Sequence, residues 1–216
     1  MKKPSLEDYR LYLVTDPVLT RGYSVLEQVE LALKGGVKII QVREKKVNTR
    51  EFIELARKSL SLTKKNNAYL LINDRVDVAL AVGADGVHLG KDDMPLTDAR
   101  QLLGTEKVIG MSVRTPEEAA EAEKGGADYL AANGVFLTDT KKELHEELGL
   151  EGVAALRRAA GLPLIAIGSM KIDNCASVIK AGADGVAVVT GITMAEDIPK
   201  TCTDYLKKIK RESEQR

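Results

Sequence analysis

Leu70-Leu71-Ile72-Asn73-Asp74-Arg75 opens the stretch that decides the fold, and Gly86-Val87-His88-Leu89-Gly90-Lys91-Asp92-Asp93-Met94-Pro95 closes it. Between them, Val76 to Val82 is an apolar, helix-like run that stops at Gly83. Two short apolar runs thus each lead into carboxylates, with one helix-length segment between them. Strands so far apart in sequence do not suit a hairpin and do suit a parallel crossover. Parallel strands leave a sheet on the same edge, so Asp74 and the Asp92/Asp93 pair are expected to converge.

The same alternation extends in both directions. Strands are predicted over Leu11–Thr15, Val37–Val42, Tyr69–Ile72, Gly86–Leu89, Val108–Met111, Tyr129–Ala132, Leu164–Ile167 and Gly185–Val189. Helices between them carry recognisable starts: Ser24, Asn48 or Thr49 as caps, Pro95 near a first turn, and Thr115-Pro116-Glu117-Glu118 with both cap and acidic first turn. Eight alternations without a composition break imply an α/β chain that closes as a single (β/α)8 TIM barrel over residues 1–216. The charged tail from about 210 is expected to fray. A doubly wound open sheet is the competing architecture. An internal repeat bears on the choice. Gly83-Ala84-Asp85 recurs as Gly126-Ala127-Asp128 and Gly182-Ala183-Asp184, with Gly35-Gly36 as a looser copy. The copies precede the second, fourth, sixth and eighth strands, so the repeating unit is a pair of strands, as a barrel with alternating layers requires. Gly-Ala-Asp as a convenient helix-to-strand loop is the simpler explanation, and it also fits a parallel fold.

Composition narrows the function classes. Lys+Arg and Asp+Glu balance at 32 each, so no global field draws the 216-residue chain to nucleic acid or to a membrane. The apolar runs are too short to span a bilayer, and Met1-Lys2-Lys3-Pro4-Ser5 lacks the apolar segment of a signal peptide. A cytoplasmic protein acting on small molecules is expected, and a homo-oligomer is compatible with the sequence. Cys175 and Cys202 lack metal-ligand spacing and read as free thiols of a reducing compartment.

In such barrels the reactive groups sit just beyond the C-terminal ends of the strands. Gln41, Arg43 and Lys45 follow the second strand at alternate positions and face one way. Asn73 and Asp74 follow the third, Asp92 and Asp93 the fourth, and Ser112 the fifth. Thr138-Asp139-Thr140-Lys141 lies after the sixth. Two carboxylates about 4 Å apart repel by roughly 4 kcal/mol at an effective dielectric near 20, a cost that a bound divalent cation removes. Mg²⁺, which takes few carboxylates together with phosphate oxygens and waters, suits this inventory better than zinc. Arg43, Lys45 and Lys141 are then candidates to hold phosphates. Gly168-Ser169 and Thr190-Gly191 follow the last two strands, where barrels often bind a phosphate through backbone N–H groups. His88 lies inside a strand and reads as a packed or orienting residue, and His145 sits in a charged loop.

These residues resemble thiamine phosphate synthase. The likeness runs from Leu11 to about Asp197 and rests on Leu11-Tyr12-Leu13-Val14-Thr15-Asp16, Gln41-Val42-Arg43-Glu44-Lys45, Leu71 to Ala79, Gly86 to Gly90 with Asp93-Met94-Pro95, Gly126-Ala127-Asp128-Tyr129, and Thr138-Asp139-Thr140-Lys141. The resemblance implies that hydroxymethyl-aminopyrimidine pyrophosphate is joined to a thiazole phosphate. Pyrophosphate departs first to leave a stabilised carbocation, which the thiazole nitrogen attacks. It further implies that Asp74 and Asp93 ligate Mg²⁺ and that Gln41 contacts the pyrimidine. By the same pattern Arg43, Lys45, Asn73, Ser112 and Lys141 hold the pyrophosphate, and Thr138, Thr140, Gly168 and Thr190 line the thiazole phosphate site. Asp92 matches no family role and reads as solvated.

The departures from the family pattern cluster on the thiazole side. Asn133-Gly134-Val135-Phe136-Leu137-Thr138 stands where Gly-Pro-Ile-Phe-Pro-Thr is usual, Gly168-Ser169-Met170 where Gly-Gly-Ile is usual, and Thr190 where Ser is usual. The related thiazole tautomerases carry a catalytic His at the position of Gly134 and tend to lose the carboxylate at Asp93. Gly134 and the retained Asp93 favour the synthase, and the retained Lys141 argues against a non-catalytic regulatory barrel.

Overall fold

In the computed structural model, which describes residues 3–137 and 146–215, eight strands close into one barrel. In chain order the elements are β1 (Leu11–Val14), α1 (Val25–Lys34), β2 (Ile39–Val42), α2 (Thr49–Lys65), β3 (Tyr69–Asn73), α3 (Val76–Val82), β4 (Gly86–Leu89), α4 (Leu96–Leu103), β5 (Val108–Val113), α5 (Pro116–Lys124), β6 (Tyr129–Asn133), α6 (Gly149–Ala159), β7 (Leu164–Ile167), α7 (Ile172–Lys180), β8 (Gly185–Val188), α8 (Thr190–Thr193) and α9 (Ile198–Ser213). All neighbouring strands pair in parallel, and β8 returns to β1 with Leu11 opposite Val186 and Leu13 opposite Val188. That return pairing excludes the open sheet.

Local sequence explains most element ends. Ser24 with Glu27, and Thr115 with Glu118, form reciprocal capping boxes, while Asn48 rather than Thr49 caps α2. The strand ends differ from the expected ones at the site. β3, β5 and β6 run on to Asn73, Val113 and Asn133, so Asn73 and Ser112 project from strands and not from the loops after them. Pairing explains the extension, since Asn73 is in register with His88 and Ser112 with Ala131. Helix α9 runs to Ser213, with Ile209 and Glu212 buried, so the helical period continues past residue 210. No described helix is long and apolar enough to cross a membrane.

Alternation along each strand divides the core in two. Tyr12, Val14, Ile39, Leu71, Val108, Tyr129, Ile165 and Ala187 fill the barrel interior, with Tyr9 closing it from below. Leu11, Leu13, Ile40, Val42, Leu70 and Ile72 point the other way, into the layer beneath the helices. Each such fully buried Leu or Ile contributes roughly 1.5–3 kcal/mol relative to exposure.

The Gly-Ala-Asp repeat acquires a physical role. Asp85 accepts the N–H of Leu70 (2.8 Å), Asp128 that of Ile109 (2.8 Å) and Asp184 that of Leu164 (2.9 Å). The aspartate before each of β4, β6 and β8 thus fastens the start of the odd strand before it. Each also donates its own backbone N–H to the carbonyl of that same residue. The looser copy has Lys38 at the equivalent place and no carboxylate to offer. The repeat therefore marks paired strands, as the two-strand period implies.

Candidate active site

One cavity opens at the C-terminal ends of the strands. Gln41, Arg43, Asn73, His88 and Ser112, from β2 to β5, line its polar side. Ala131, Ile165, Ile167, Gly168, Ala187 and Val189, on β6 to β8 and the turns after them, line a mainly apolar side, with Asn133, Ser169 and Thr190 as its polar residues. The structure thus gathers Gln41, Arg43, Asn73, Ser112, Gly168 and Thr190 around one space. Lys45, Asp74 and Asp93 cluster together at the rim. Asp92 is exposed, in keeping with a solvated side chain. Thr138, Thr140, Lys141 and His145 fall in 138–145, outside the described residues.

The rim carboxylates are held together against their repulsion. Asp74 follows β3 with φ of +62°, a left-handed backbone that non-glycine residues adopt rarely, and its N–H bonds the His88 carbonyl (2.9 Å). Its carboxylate pairs with the ammonium of Lys45. Asp93 accepts the Gly90 N–H at 2.6 Å. Burial, and then the hydrogen bond and negative charge of Asp74 beside it, push the Asp93 carboxyl above the usual carboxylate range, while the Gly90 N–H and Lys45 pull the other way. Adjacent acids with one cation, Lys45, against them among the described residues are suited to a divalent ion. Among the described residues there is no group of three or more His, Cys, Asp or Glu that could enclose a metal. Such a site fits Mg²⁺ completed by substrate oxygens and water, and does not fit a structural zinc.

Two residues escaped the sequence reading. Asp16 is buried, accepts the N–H groups of Val18 (2.9 Å) and Leu19 (2.8 Å), and takes the Arg43 guanidinium at 3.3 Å. It aims Arg43 along the cavity wall, and its place at the C-terminal end of β1 was the available signal. Arg114 donates to the carbonyls of Asn133 (2.7 Å) and Glu146 (2.8 Å), one on each side of 138–145. Its position two residues after Ser112, just past the end of β5, was the signal there.

The apolar side is closely built. Gly168 has φ of +121°, and a Cβ there would lie 2.8 Å from Gly134 Cα and 2.9 Å from Val135 N, so only glycine allows the β6 and β7 ends to approach. Gly134 and Val135 both donate to the Ile167 carbonyl. Ser169, also left-handed at φ +47°, donates its hydroxyl to the Leu137 carbonyl. The substitution for the family's usual glycine thus adds a tie to the chain just before the predicted thiazole-side threonines. Cys175 and Cys202 are buried away from this mouth, and burial pushes the Cys202 thiol up to about 12.

The chain is similar to proteins of one family over most of its length. The family model described as Thiamine monophosphate synthase matches residues 11–192. The thiamine-phosphate synthase of Syntrophomonas wolfei is 51% identical over 191 residues, covering 88% of this chain and 91% of the relative. That of Clostridium novyi is 48% identical over 191 residues, covering 88% and 94%. Among solved structures, the thiamine phosphate pyrophosphorylase of Pyrococcus furiosus superposes with a TM-score of 0.87 at 40% identity, covering 96% of this chain and 98% of that one.

Proposed function

The chain belongs to the thiamine monophosphate synthase family, and from that premise we propose how its mouth divides the coupling of a pyrimidine pyrophosphate to a thiazole phosphate. The observation that carries the proposal is the divided cavity, polar and charged from β2 to β5 and mainly apolar from β6 to β8, where Asn133, Ser169 and Thr190 are the polar exceptions.

Gln41 holds the pyrimidine ring at the cavity floor. Arg43, already aimed by Asp16, takes the pyrophosphate together with Lys45, Asn73 and Ser112. Asp74 and Asp93 would hold Mg²⁺, which when bound neutralises charge on the departing pyrophosphate. The pyrimidine amino group supplies the electrons that expel pyrophosphate, so the protein needs neither nucleophile nor strong base. Its residues stabilise developing negative charge and keep the two substrates aligned. The thiazole phosphate occupies the other half, with Gly168 and Thr190 in contact with it and Thr138, Thr140 and Lys141 assigned there or to the pyrophosphate by resemblance. The tautomerase alternative lacks its imidazole, because the corresponding residue is Gly134. The two buried free thiols suit a reducing cytoplasm.

The test is a coupling assay with pyrimidine pyrophosphate, thiazole phosphate and Mg²⁺. Thiamine phosphate and pyrophosphate are expected in equal amounts, and Asp93→Ala is expected to need more Mg²⁺ for half-maximal turnover. Parental behaviour of Asp93→Ala at limiting Mg²⁺ removes Asp93 from the metal site. Failure to form either product overturns the whole reading.

A further inference from the structure

We propose that Tyr12, Tyr129 and His88 are positioning residues, forming one directional hydrogen-bond relay from Gln41 to Ser112 that points the Ser112 hydroxyl proton into the cavity. This rests on the placement of Ser112 against pyrophosphate. The atoms form an unbroken series under the cavity floor. Gln41 Nε2 lies 2.5 Å from Tyr12 Oη, Tyr12 Oη 2.9 Å from Tyr129 Oη, Tyr129 Oη 2.8 Å from His88 Nδ1, and His88 Nε2 2.9 Å from Ser112 Oγ. The five residues come from β2, β1, β6, β4 and β5, so the series crosses most of the barrel.

With His88 neutral, proton counting permits two directions, and the proposed one is that which leaves the serine proton for the cavity. An amide nitrogen donates only, so Tyr12 accepts from Gln41. Each phenol has one proton. In the proposed direction Tyr12 passes its proton to Tyr129, and Tyr129 passes its own to His88 Nδ1. With Nδ1 accepting, the neutral imidazole carries its proton on Nε2 and donates it to Ser112 Oγ. The serine proton is then left to face the cavity, where it can meet an anionic oxygen. The reverse polarity would spend the serine proton on His88 and turn oxygen lone pairs toward a departing anion. Burial of Tyr12 and Tyr129 raises both phenols well above their ordinary range, so both keep the proton the relay requires.

The packing is built around this series. Tyr129 is fully buried, and its ring lies across β5 where a Cβ on Gly110 would sit 2.0 Å from Tyr129 Cζ. Gly110 thus clears the space that lets the phenol reach His88, whose ring stacks on it with centroids 5.6 Å apart.

Two measurements test the relay. In the free protein, ¹⁵N-resolved NMR of the His88 side chain should show the Nε2–H tautomer, and an Nδ1–H tautomer overturns the stated direction. Tyr129→Phe keeps the ring and removes one link. It should slow single-turnover pyrophosphate release about tenfold, the effect of one lost hydrogen bond. In a Ser112→Ala background the same change should cost less than about twofold, because the relay then has nothing to aim. Equal losses in both backgrounds mean that Tyr129 acts by packing alone and overturn the proposal. If Tyr129→Phe does not fold, Tyr12→Phe breaks the series one link earlier and carries the same expectations. A parental rate for Ser112→Ala removes Ser112 from the pyrophosphate site, a failure of the reading beneath the relay that the tautomer measurement distinguishes from failure of the relay itself.

Discussion

At the N-terminal end of the barrel, Asp85, Asp128 and Asp184 each accept a strand-initiating N–H, and two of them also take an arginine, Arg100 at 2.6 Å and Arg157 at 3.1 Å. At the C-terminal end, Asp74 and Asp93 stand beside each other with Lys45 against them, and Asp74 sits in a backbone conformation unusual for its residue type. The same side chain therefore stabilises at one end and is held against its preference at the other. What differs is the partner. Backbone N–H groups and arginines fixed by the fold satisfy a carboxylate within the chain itself. Asp74 and Asp93 share the single ammonium of Lys45 among the described residues, and burial with the neighbouring charge raises the Asp93 carboxyl, so that end has charge left to offer a bound cation.

The comparison can be broken by exchanging the expected effects. Asp74→Asn keeps a residue that tolerates the left-handed backbone and removes the charge. Turnover should fall on the order of 100-fold, as for loss of one strong electrostatic stabiliser, while the thermal midpoint stays put. Steady-state rates and a melting curve on one sample decide it, and a large drop in the midpoint with unchanged rate places Asp74 with the structural aspartates. The opposite pattern is expected for Asp128→Ala. The Ile109 N–H loses its acceptor, and Arg100 and Lys3 lose their carboxylate partner while Arg100 keeps its backbone carbonyls, which costs about 2 kcal/mol, and kcat is unchanged. Denaturant unfolding measures the first and the coupling assay the second; a change in kcat with intact stability links the two ends in a way the contacts do not. The smallest effect sharpens the comparison within the mouth. Ser169→Gly removes the tie to Leu137 and should move KM for thiazole phosphate a few-fold, about the worth of one hydrogen bond, without moving KM for the pyrimidine substrate. A shift confined to the pyrimidine side contradicts the two-half division.

Much of the site was legible because strand-end positions follow from period and topology. The convergence of Asp74 with Asp93 needs only that β3 and β4 be adjacent and parallel, and Gln41 shares a face with Arg43 by the two-residue period of a strand. Asp16 was harder to read. It stands beside a proline that signals the end of a strand, and its partner Arg43 lies on the next strand, across the α1 crossover. Arg114 was hidden because Ser112 read as a loop residue, whereas β5 continues through it to Val113. His88 was legible as a packed or orienting residue, but its partners Tyr129 and Ser112 were not.

The sequence by itself determined the parallel strand–helix alternation and the residue types gathered at the C-terminal strand ends, because strand alternation, helix caps and the two-strand repeat are local patterns. Only the tertiary structure decided that Gln41, Tyr12, Tyr129, His88 and Ser112 form one series, and that Arg43 is aimed by a buried aspartate. Those links run across the barrel between residues up to 117 positions apart. Closure of β8 onto β1, and the space over Gly110, put them within hydrogen-bonding distance. No periodicity along the chain encodes a distance across its interior.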